Sequence, residues 1–327
     1  MDDDNQREPG GSSAAERVRR AALTGARNAA GNAWFLLRII VPVTLAVAIL
    51  GWSGILEVLA RLLAPAMGLL GLPGEASLVL ISSMLLNIYS AIAVAGSLGL
   101  DLRAATILAI MCLTAHNLLV ETAVMKKTGS SASKMVALRI GVAILAGWLY
   151  NLLLPASLAL SPFSAAAAAG SRPEFAAMLG QWALTTGKLA LKICVIVLGI
   201  MVAQRLLEEF KVMDFLSRLL RPVMKFLGLP DSASFLWIVI NVVGYAYGAG
   251  IVVEQIGAGR MKPQEGDLFN HNAGICHSLL EDTALYLAVG ISLFWLTVPR
   301  LVLASAVVWL ERARRHYFRR SFRVGTV

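Results

Sequence analysis

Two short stretches of this chain place a histidine and a carboxylate at the same spacing, followed by threonine. They read His116-Asn-Leu-Leu-Val-Glu121-Thr-Ala and His277-Ser-Leu-Leu-Glu-Asp282-Thr-Ala. Imidazole nitrogens and carboxylate oxygens bind protons and metal ions, and they also hydrogen bond to polar solutes. Both stretches lie in apolar surroundings, where an ionised carboxylate costs about 2.5–3.5 kcal/mol to insert. We interpret them as a substrate, ion or proton site; the structural alternative is a His–carboxylate pair that holds two halves together.

Further polar residues accompany each histidine. If each stretch is one continuous helix, residues spaced by three, four or seven positions share a face. Thr114, Asn117 and Glu121 then form one stripe. In the second stretch, two neighbouring stripes are His271, Ser278 and Asp282, and Asn270, His277 and Glu281. Each stretch therefore presents an imidazole and a carboxylate on a polar face.

The segments that must position these groups are strongly apolar. Of 327 residues, 57% are hydrophobic and 15% are charged, whereas soluble domains carry about 25% charged residues. The apolar runs, most of them near the roughly 20 residues that span a bilayer, are 33–52, 76–98, 104–125, 135–158, 185–206, 233–256, 268–290 and 291–310. The net charge of +9 is concentrated in arginines flanking these runs, which is typical of cytoplasmic ends and excludes nucleic-acid binding. We predict an all-α polytopic membrane protein.

An internal repeat organises the chain. Leu59-Ala-Arg-Leu-Leu-Ala-Pro-Ala-Met-Gly-Leu-Leu-Gly-Leu-Pro73 returns as Leu216-Ser-Arg-Leu-Leu-Arg-Pro-Val-Met-Lys-Phe-Leu-Gly-Leu-Pro230. Later matches pair Arg139 with Arg300, and each arginine either pairs with a carboxylate or extends to the membrane surface. The predicted units are a polar cytoplasmic tail (1–28), repeat 1 (29–158), an Ala/Ser/Gly/Pro linker (159–184), repeat 2 (185–312) and a basic cytoplasmic tail (313–327).

The loop charges indicate that the two repeats are inverted in the membrane. Basic residues follow the third segment of repeat 1, at Lys126, Lys127 and Lys134, but follow the first segment of repeat 2. Both clusters face the cytoplasm if 76–98 and 233–256 are re-entrant or broken hairpins, which their internal Asn, Gly and Ser residues favour. Ordinary crossings with small residues for close packing are the alternative. Each repeat then has about three transmembrane helices, one hairpin and an amphipathic interfacial helix.

These features resemble the nucleoside recognition, or Gate, family. The resemblance rests on the repeated Leu-Gly-Leu-Pro helix end, the Asn- and Gly-interrupted segment after it, and the His-x4-acid-Thr helix, and it covers nearly all of 33–310. Related segments occur in concentrative nucleoside transporters, in ferrous iron transporter B and in the spore maturation A and B proteins. The resemblance implies inverted repeats with re-entrant hairpins, and two fused Gate units resemble the spore maturation pair.

We therefore predict a permease that moves a small polar solute, nucleoside-like in character, through a midplane site between the repeats, with ion coupling as an option. Divalent metal transport and a non-transporting membrane scaffold are the alternatives. The predicted substrate-binding residues are Asn87, Tyr89, Ser90, His116, Asn117, Glu121, Asn241, Tyr245, Tyr247, His271, Asn272, His277, Ser278, Glu281 and Asp282. A metal, if bound, would use His116, Glu121, His277 and Asp282.

The remaining expectations concern chemistry and location. The chain has no GxxxxGK[ST], GxSxG or HExxH motif, so we predict neither enzyme activity nor a cofactor. The expected partners are a small-molecule or ion substrate and the lipid bilayer, with a homo-oligomer left open. We expect a bacterial inner membrane location with several crossings and both termini in the cytoplasm.

Overall fold

The computed structural model describes residues 13–160, 174–242, 244–245 and 261–324, and every regular element in these ranges is helical. Tyr247, half of the predicted linker (161–173) and the end of the 233–256 segment lie outside the described residues. The described helices that are long and apolar enough to cross a membrane are Leu102–Lys127 (with one internal break), Ala132–Leu153, Phe175–Glu209 and Leu293–Tyr317. The chain is therefore a multi-pass helical membrane protein.

The described helices follow matching orders in the two halves, and most of the part of the second half that corresponds to α4 lies outside the described residues. The first half contains α1 (Ala14–Ser53), α2 (Ile55–Gly68), α3 (Ala76–Leu85), α4 (Ile88–Ser97), α5 (Leu102–Ala115), α6 (Leu118–Lys127) and α7 (Ala132–Leu153). The second half contains α8 (Phe175–Glu209), α9 (Val212–Phe226), α10 (Ser234–Val242), α11 (Pro263–Ala273), α12 (Glu281–Ala288) and α13 (Leu293–Val324). Short 3-10 helices lie at Ala156–Leu160 and Asp231–Ala233.

Backbone breaks between the helices recur at matched positions. Residues in the left-handed region are rare outside glycine because the Cβ atom is crowded there. Four described residues of the first half have this left-handed conformation, and each has an equivalent with the same conformation in the second half: Gly54 with Lys211, Gly71 with Gly228, Asn117 with Ser278, and Gly129 with Gly290. The repeated sequence thus folds with the same sequence of turns twice.

The first helix of each half begins earlier in the chain than its apolar run predicts. α1 begins at Ala14, inside the predicted tail, where Ser13 and Glu16 form a reciprocal capping box: the Glu16 carboxylate accepts from the Ser13 backbone N–H at 2.9 Å. α8 begins at Phe175, inside the predicted linker. Alanine-rich sequence favours helix regardless of its hydropathy, so an apolar window underestimates both lengths.

Equivalent helices of the two halves pack antiparallel. In the α1–α8 pair, Arg17 forms an ion pair with Glu209 at 2.8 Å, while at the other end the rings of Trp52 and Phe175 lie 5.1 Å apart. In the α7–α13 pair, Lys134 contacts Glu311 at 3.1 Å at one end. At the other end, the Tyr150 hydroxyl donates to the Trp295 carbonyl. In both pairs the equivalent helices therefore run in opposite directions.

Close contact between α1 and α8 depends on Gly25. A Cβ atom at Gly25 would lie 2.7 Å from the Val202 Cα atom, whereas a Cβ at Gly31 would meet nothing within 4 Å. We expect Gly25→Ala to destabilise the protein by about 1–3 kcal/mol through overpacking. Gly31→Ala, the matched control, is expected to be neutral or to stabilise by up to about 1 kcal/mol. Thermal unfolding of both purified variants checks this, and equal melting temperatures would contradict the contact.

The predicted hairpin segment 76–98 is divided at Asn87. α3 and α4 have 10 residues each, so each is about 15 Å long, half of the roughly 30 Å bilayer core. The two helices pack against each other. Asn87 is extended, and its side-chain oxygen accepts from the Ser90 backbone N–H at 2.9 Å, which caps α4. Of the second segment, α10 and residues 244–245 are described.

Candidate functional site

The two histidines lie where their helices break. α5 ends at Ala115 and α6 begins after Asn117, so the predicted continuous polar stripe is wrong at this point. The Asn117 backbone N–H donates to the Ser83 carbonyl, and the Ser278 N–H donates to the Ile240 carbonyl, both at 2.9 Å. The helices α3 and α10 thus supply the hydrogen-bond partners that a broken helix needs at membrane depth.

The breaks bring the histidines of the two halves into contact. The Nε2 atoms of His116 and His277 lie 3.1 Å apart, and Glu121 Oε1 lies 3.2 Å from each of them. Asp282 Oδ2 lies 3.6 Å from His116 Nε2. All four residues are buried, with exposed fractions between 0% and 6%. Two residues from each half, at least 156 positions apart in the chain, therefore form one cluster, the histidine–carboxylate cluster.

Hydrogen bonds at the other ring nitrogens determine what this cluster can bind. His116 Nδ1 contacts the Cys112 carbonyl at 3.0 Å, and His277 Nδ1 contacts the Ala273 carbonyl at 2.6 Å. A carbonyl oxygen only accepts, so each Nδ1 carries a hydrogen and each neutral ring directs the lone pair of Nε2 at the other. Two lone pairs and a carboxylate oxygen at this distance repel unless a proton or a metal ion lies between them. A proton on one of the rings or a bound cation would each remove this repulsion.

Two buried arginines contact the residues of the cluster, and the predicted site residues did not include them. Arg139 donates to the Thr114 and His116 carbonyls at 3.0 and 2.8 Å, and forms an ion pair with Glu121 at 2.8 Å. Arg300 donates to the His277 carbonyl at 2.6 Å. Both residues are 0% exposed, so neither side chain extends to the membrane surface, and pairing with a carboxylate is confirmed for Arg139 but not seen for Arg300 among the described residues. Their matched positions in two apolar segments were the signal that could have identified them.

Most of the predicted neutral polar residues bond to other protein groups. Asn87 and Ser90 bond to each other, and the Tyr89 hydroxyl donates to the Glu281 carboxylate. The backbone N–H groups of Asn117 and Ser278 hold the helix breaks. The other described members bond as follows: Asn241 Nδ2 to the Trp237 carbonyl, Asn272 Oδ1 to Trp237 Nε1, and the Tyr245 hydroxyl to Asn270. Of these, Tyr245 also lies beside the cluster, with its ring 5.7 Å from that of His277.

His271 lies apart from the histidine–carboxylate cluster. Its Nδ1 contacts the Asp267 carbonyl at 2.6 Å, and its Nε2 lies 3.8 Å from Glu311. Asp267 and Glu311 are in turn paired with Arg315, and Glu311 also pairs with Arg314. A cavity of about 450 Å³ lies here, lined by Gly129, Pro263, Gln264, Asp267, Glu311, Arg314 and Arg315. Because three basic side chains, including Lys134, already neutralise the two carboxylates, this second group is less suited to a metal ion.

The fold and the cluster define a polytopic helical membrane protein with a duplicated, buried His–carboxylate–Arg arrangement. The family model described as Gate, nucleoside recognition, matches residues 33–132, which confirms the resemblance indicated by the motifs. The chain is also 29% identical over 288 residues to the uncharacterized membrane protein YvoD of Bacillus subtilis (strain 168), covering 88% of this chain and 92% of that protein. No solved structure matches significantly.

Proposed function

We propose that this protein is a membrane transporter of a divalent transition-metal ion, which it binds between its two halves at His116, His277 and Glu121. The single observation that carries this proposal is the convergence of two histidine lone pairs and one carboxylate oxygen within 3.2 Å of one another. Ligand atoms of a tetrahedral ion with bonds of about 2.0–2.1 Å stand about 3.3 Å apart. The three donor atoms therefore have nearly the separation that such an ion requires.

Ligand type and charge both support a transition metal as the substrate. Imidazole favours ions such as Zn²⁺, Fe²⁺ and Co²⁺ over Na⁺ or Ca²⁺, which prefer oxygen ligands. Two carboxylates, Glu121 and Asp282, lie within 3.6 Å of a histidine Nε2 atom, and of these only Glu121 forms an ion pair with an arginine among the described residues, so a bound cation would offset the charge of Asp282. Asp282 is close enough to approach a bound ion with a small side-chain movement.

The same contacts argue against the neutral organic solute that the sequence favoured. Such a solute would need amide and hydroxyl groups left available by the fold. Asn87 and Ser90 are used for helix capping, and Tyr89 bonds to Glu281. Asn241 Oδ1 and Asn272 Nδ2 have no hydrogen-bond partner among the described residues and would still be available to such a solute, whereas a metal ion needs only the histidine and carboxylate atoms that already converge.

An inverted arrangement of the repeats supports transport through the midplane. Because α7 packs antiparallel to its equivalent α13, and α1 to its equivalent α8, matched segments cross the membrane in opposite directions. Combined with the loop charges, this favours cytoplasmic termini in a bacterial inner membrane. Cysteine labelling near Lys127 from the external side alone would contradict the inverted topology.

Uptake into proteoliposomes tests the proposed function. Vesicles carrying the protein and a metal-sensitive dye are exposed to Mn²⁺, Fe²⁺, Co²⁺, Ni²⁺ and Zn²⁺, and parallel vesicles are exposed to a mixed nucleoside pool. We expect uptake of at least one metal ion and its loss in a His116→Gln/His277→Gln variant that still elutes as folded protein. Nucleoside uptake without metal uptake would overturn the proposal in favour of the organic solute.

A membrane scaffold is the second candidate, and the closed packing of the cluster favours it. Glu121 is paired with Arg139, and the four cluster residues are buried, as expected for a fixed joint between halves. A scaffold would show no uptake of any tested solute, while the double histidine variant would lower its melting temperature. Metal uptake by the unaltered protein excludes the scaffold as its sole function.

A further inference from the structure

Each repeat has a carboxylate and an arginine at matching positions, and only one of these two arginine–carboxylate sets forms an ion pair in the structure. His116 matches His277, Glu121 matches Asp282 and Arg139 matches Arg300, all at the same offset of 161 residues. Symmetric sequence and symmetric helix breaks would allow two identical half-sites. The structure instead shows one arginine–carboxylate ion pair closed and its equivalent open.

The closed set belongs to repeat 1. Arg139 holds Glu121 Oε2 at 2.8 Å, which directs Glu121 Oε1 to both histidines at 3.2 Å. Arg139 Nε and Nη2 also donate to backbone carbonyls. This carboxylate is thus oriented by its arginine and in contact with the cluster.

The open set belongs to repeat 2. Arg300 is completely buried, yet its Nε and Nη1 atoms have no hydrogen-bond partner among the described residues. Asp282 Oδ2 is likewise without a hydrogen-bond partner and lies 3.6 Å from His116 Nε2, at the edge of the cluster. Arg139 Nη1 and Glu121 Oε2 also lack an oriented hydrogen bond, but they lie 2.8 Å apart as an ion pair, whereas no ion pair joins Arg300 to Asp282 among the described residues. Buried charges without a counter-charge are unfavourable, so Arg300 and Asp282 favour a second arrangement in which they are paired.

We propose that Asp282 and Arg300 form the alternate half of the cation site, to which the ion passes from Glu121 during transport. The ion stays on His116 and His277 while its carboxylate ligand changes from Glu121 to Asp282. Arg300 then orients Asp282 as Arg139 orients Glu121. Arg300 is a positioning residue in this assignment, which rests on the proposed metal transport and deepens it.

Matched variants at the equivalent positions test the exchange, with Co²⁺ as the probe. Co²⁺ binding to purified protein is measured by equilibrium dialysis and by its visible absorption spectrum, and Co²⁺ uptake is measured in proteoliposomes. For Glu121→Gln we expect binding to weaken by about 100-fold. For Asp282→Asn we expect a dissociation constant and spectrum close to those of the unaltered protein, but uptake reduced to about one-tenth or less.

The arginine variants add a readout that a purely structural role would not change. Arg300→Gln is expected to match Asp282→Asn, with Co²⁺ binding kept and uptake lost, and Arg300→Lys is expected to restore part of the uptake. If Asp282→Asn weakens Co²⁺ binding as much as Glu121→Gln, Asp282 is an ordinary ligand of a single site and the exchange is wrong. Uptake at the unaltered rate in Asp282→Asn also overturns it.

The same experiment separates this assignment from the proposed function. Suppose that the unaltered protein takes up Co²⁺, but Asp282→Asn either binds Co²⁺ as weakly as Glu121→Gln or transports it at the unaltered rate. Metal transport is then supported, and the exchange between the two carboxylates is wrong. Absence of both binding and uptake in the unaltered protein overturns metal transport and the exchange with it.

Discussion

Replacing Glu121 by Gln is expected to abolish metal uptake and to weaken metal binding by about 100-fold. The carboxylate supplies the only negative charge that contacts both histidines among the described residues, at 3.2 Å from each Nε2 atom. Glutamine keeps the shape but presents a neutral amide and leaves the Arg139 charge unbalanced. Equilibrium binding and proteoliposome uptake, measured on protein that elutes as a single folded species, check this result.

Two neighbouring substitutions serve as matched controls for Glu121→Gln. Glu281→Gln removes a carboxylate that bonds to Tyr89 rather than to the histidines, and His271→Gln removes a histidine outside the cluster. We expect both variants to change the dissociation constant by less than about threefold. Equal losses in all three variants would mean that general destabilisation, rather than ligand removal, explains the effect.

Replacing Arg139 by Met is expected to lower the free energy of unfolding by about 3–5 kcal/mol. The side chain is completely buried, and its removal leaves the Glu121 carboxylate and two backbone carbonyls without their partner. A buried charge without a counter-charge is far more costly than the same charge at the surface. Denaturant unfolding of purified protein, followed by tryptophan fluorescence, measures the loss.

Lys134→Met provides the comparison for this stability effect. Lys134 also forms an ion pair with a glutamate, at 3.1 Å from Glu311, but its side chain is 38% exposed. Its removal is expected to cost less than about 1 kcal/mol. Adding Glu121→Gln to Arg139→Met should recover part of the stability, because it removes the uncompensated charge. If the double variant loses as much unfolding free energy as the two single variants together, or more, the pairing is contradicted.

Several features could be predicted from the sequence because they depend on local composition. Sparse charge in long apolar runs predicts membrane helices, and the recurrence of Leu-Gly-Leu-Pro and His-x4-acid-Thr predicts a duplicated unit. The interruption of the segment 76–98 at Asn87 also follows from its local sequence, since asparagine in an extended conformation caps a new helix. The start of α1 also depends on a local pattern, the capping box formed by Ser13 and Glu16.

Other features depend on partners far away in the chain and could not be predicted in this way. The break at Asn117 requires the Ser83 carbonyl as its partner, so a pattern based on one continuous helix assigned the polar stripes wrongly. For the same reason His271 and His277, which are close in sequence, belong to different groups. The roles of Arg139 and Arg300 stayed open until their burial was known, because a long side chain can reach either the bundle or the surface.

The sequence by itself determined that this protein lies in a membrane, that it contains one helical unit twice, and that each unit carries a histidine and a carboxylate. Only the tertiary structure decided that these become one cluster. Antiparallel packing of equivalent helices brings His116 to within 3.1 Å of His277, and backbone carbonyls direct both lone pairs inward. The tertiary structure also decided that Glu121 is paired with its arginine while Asp282, among the described residues, is not.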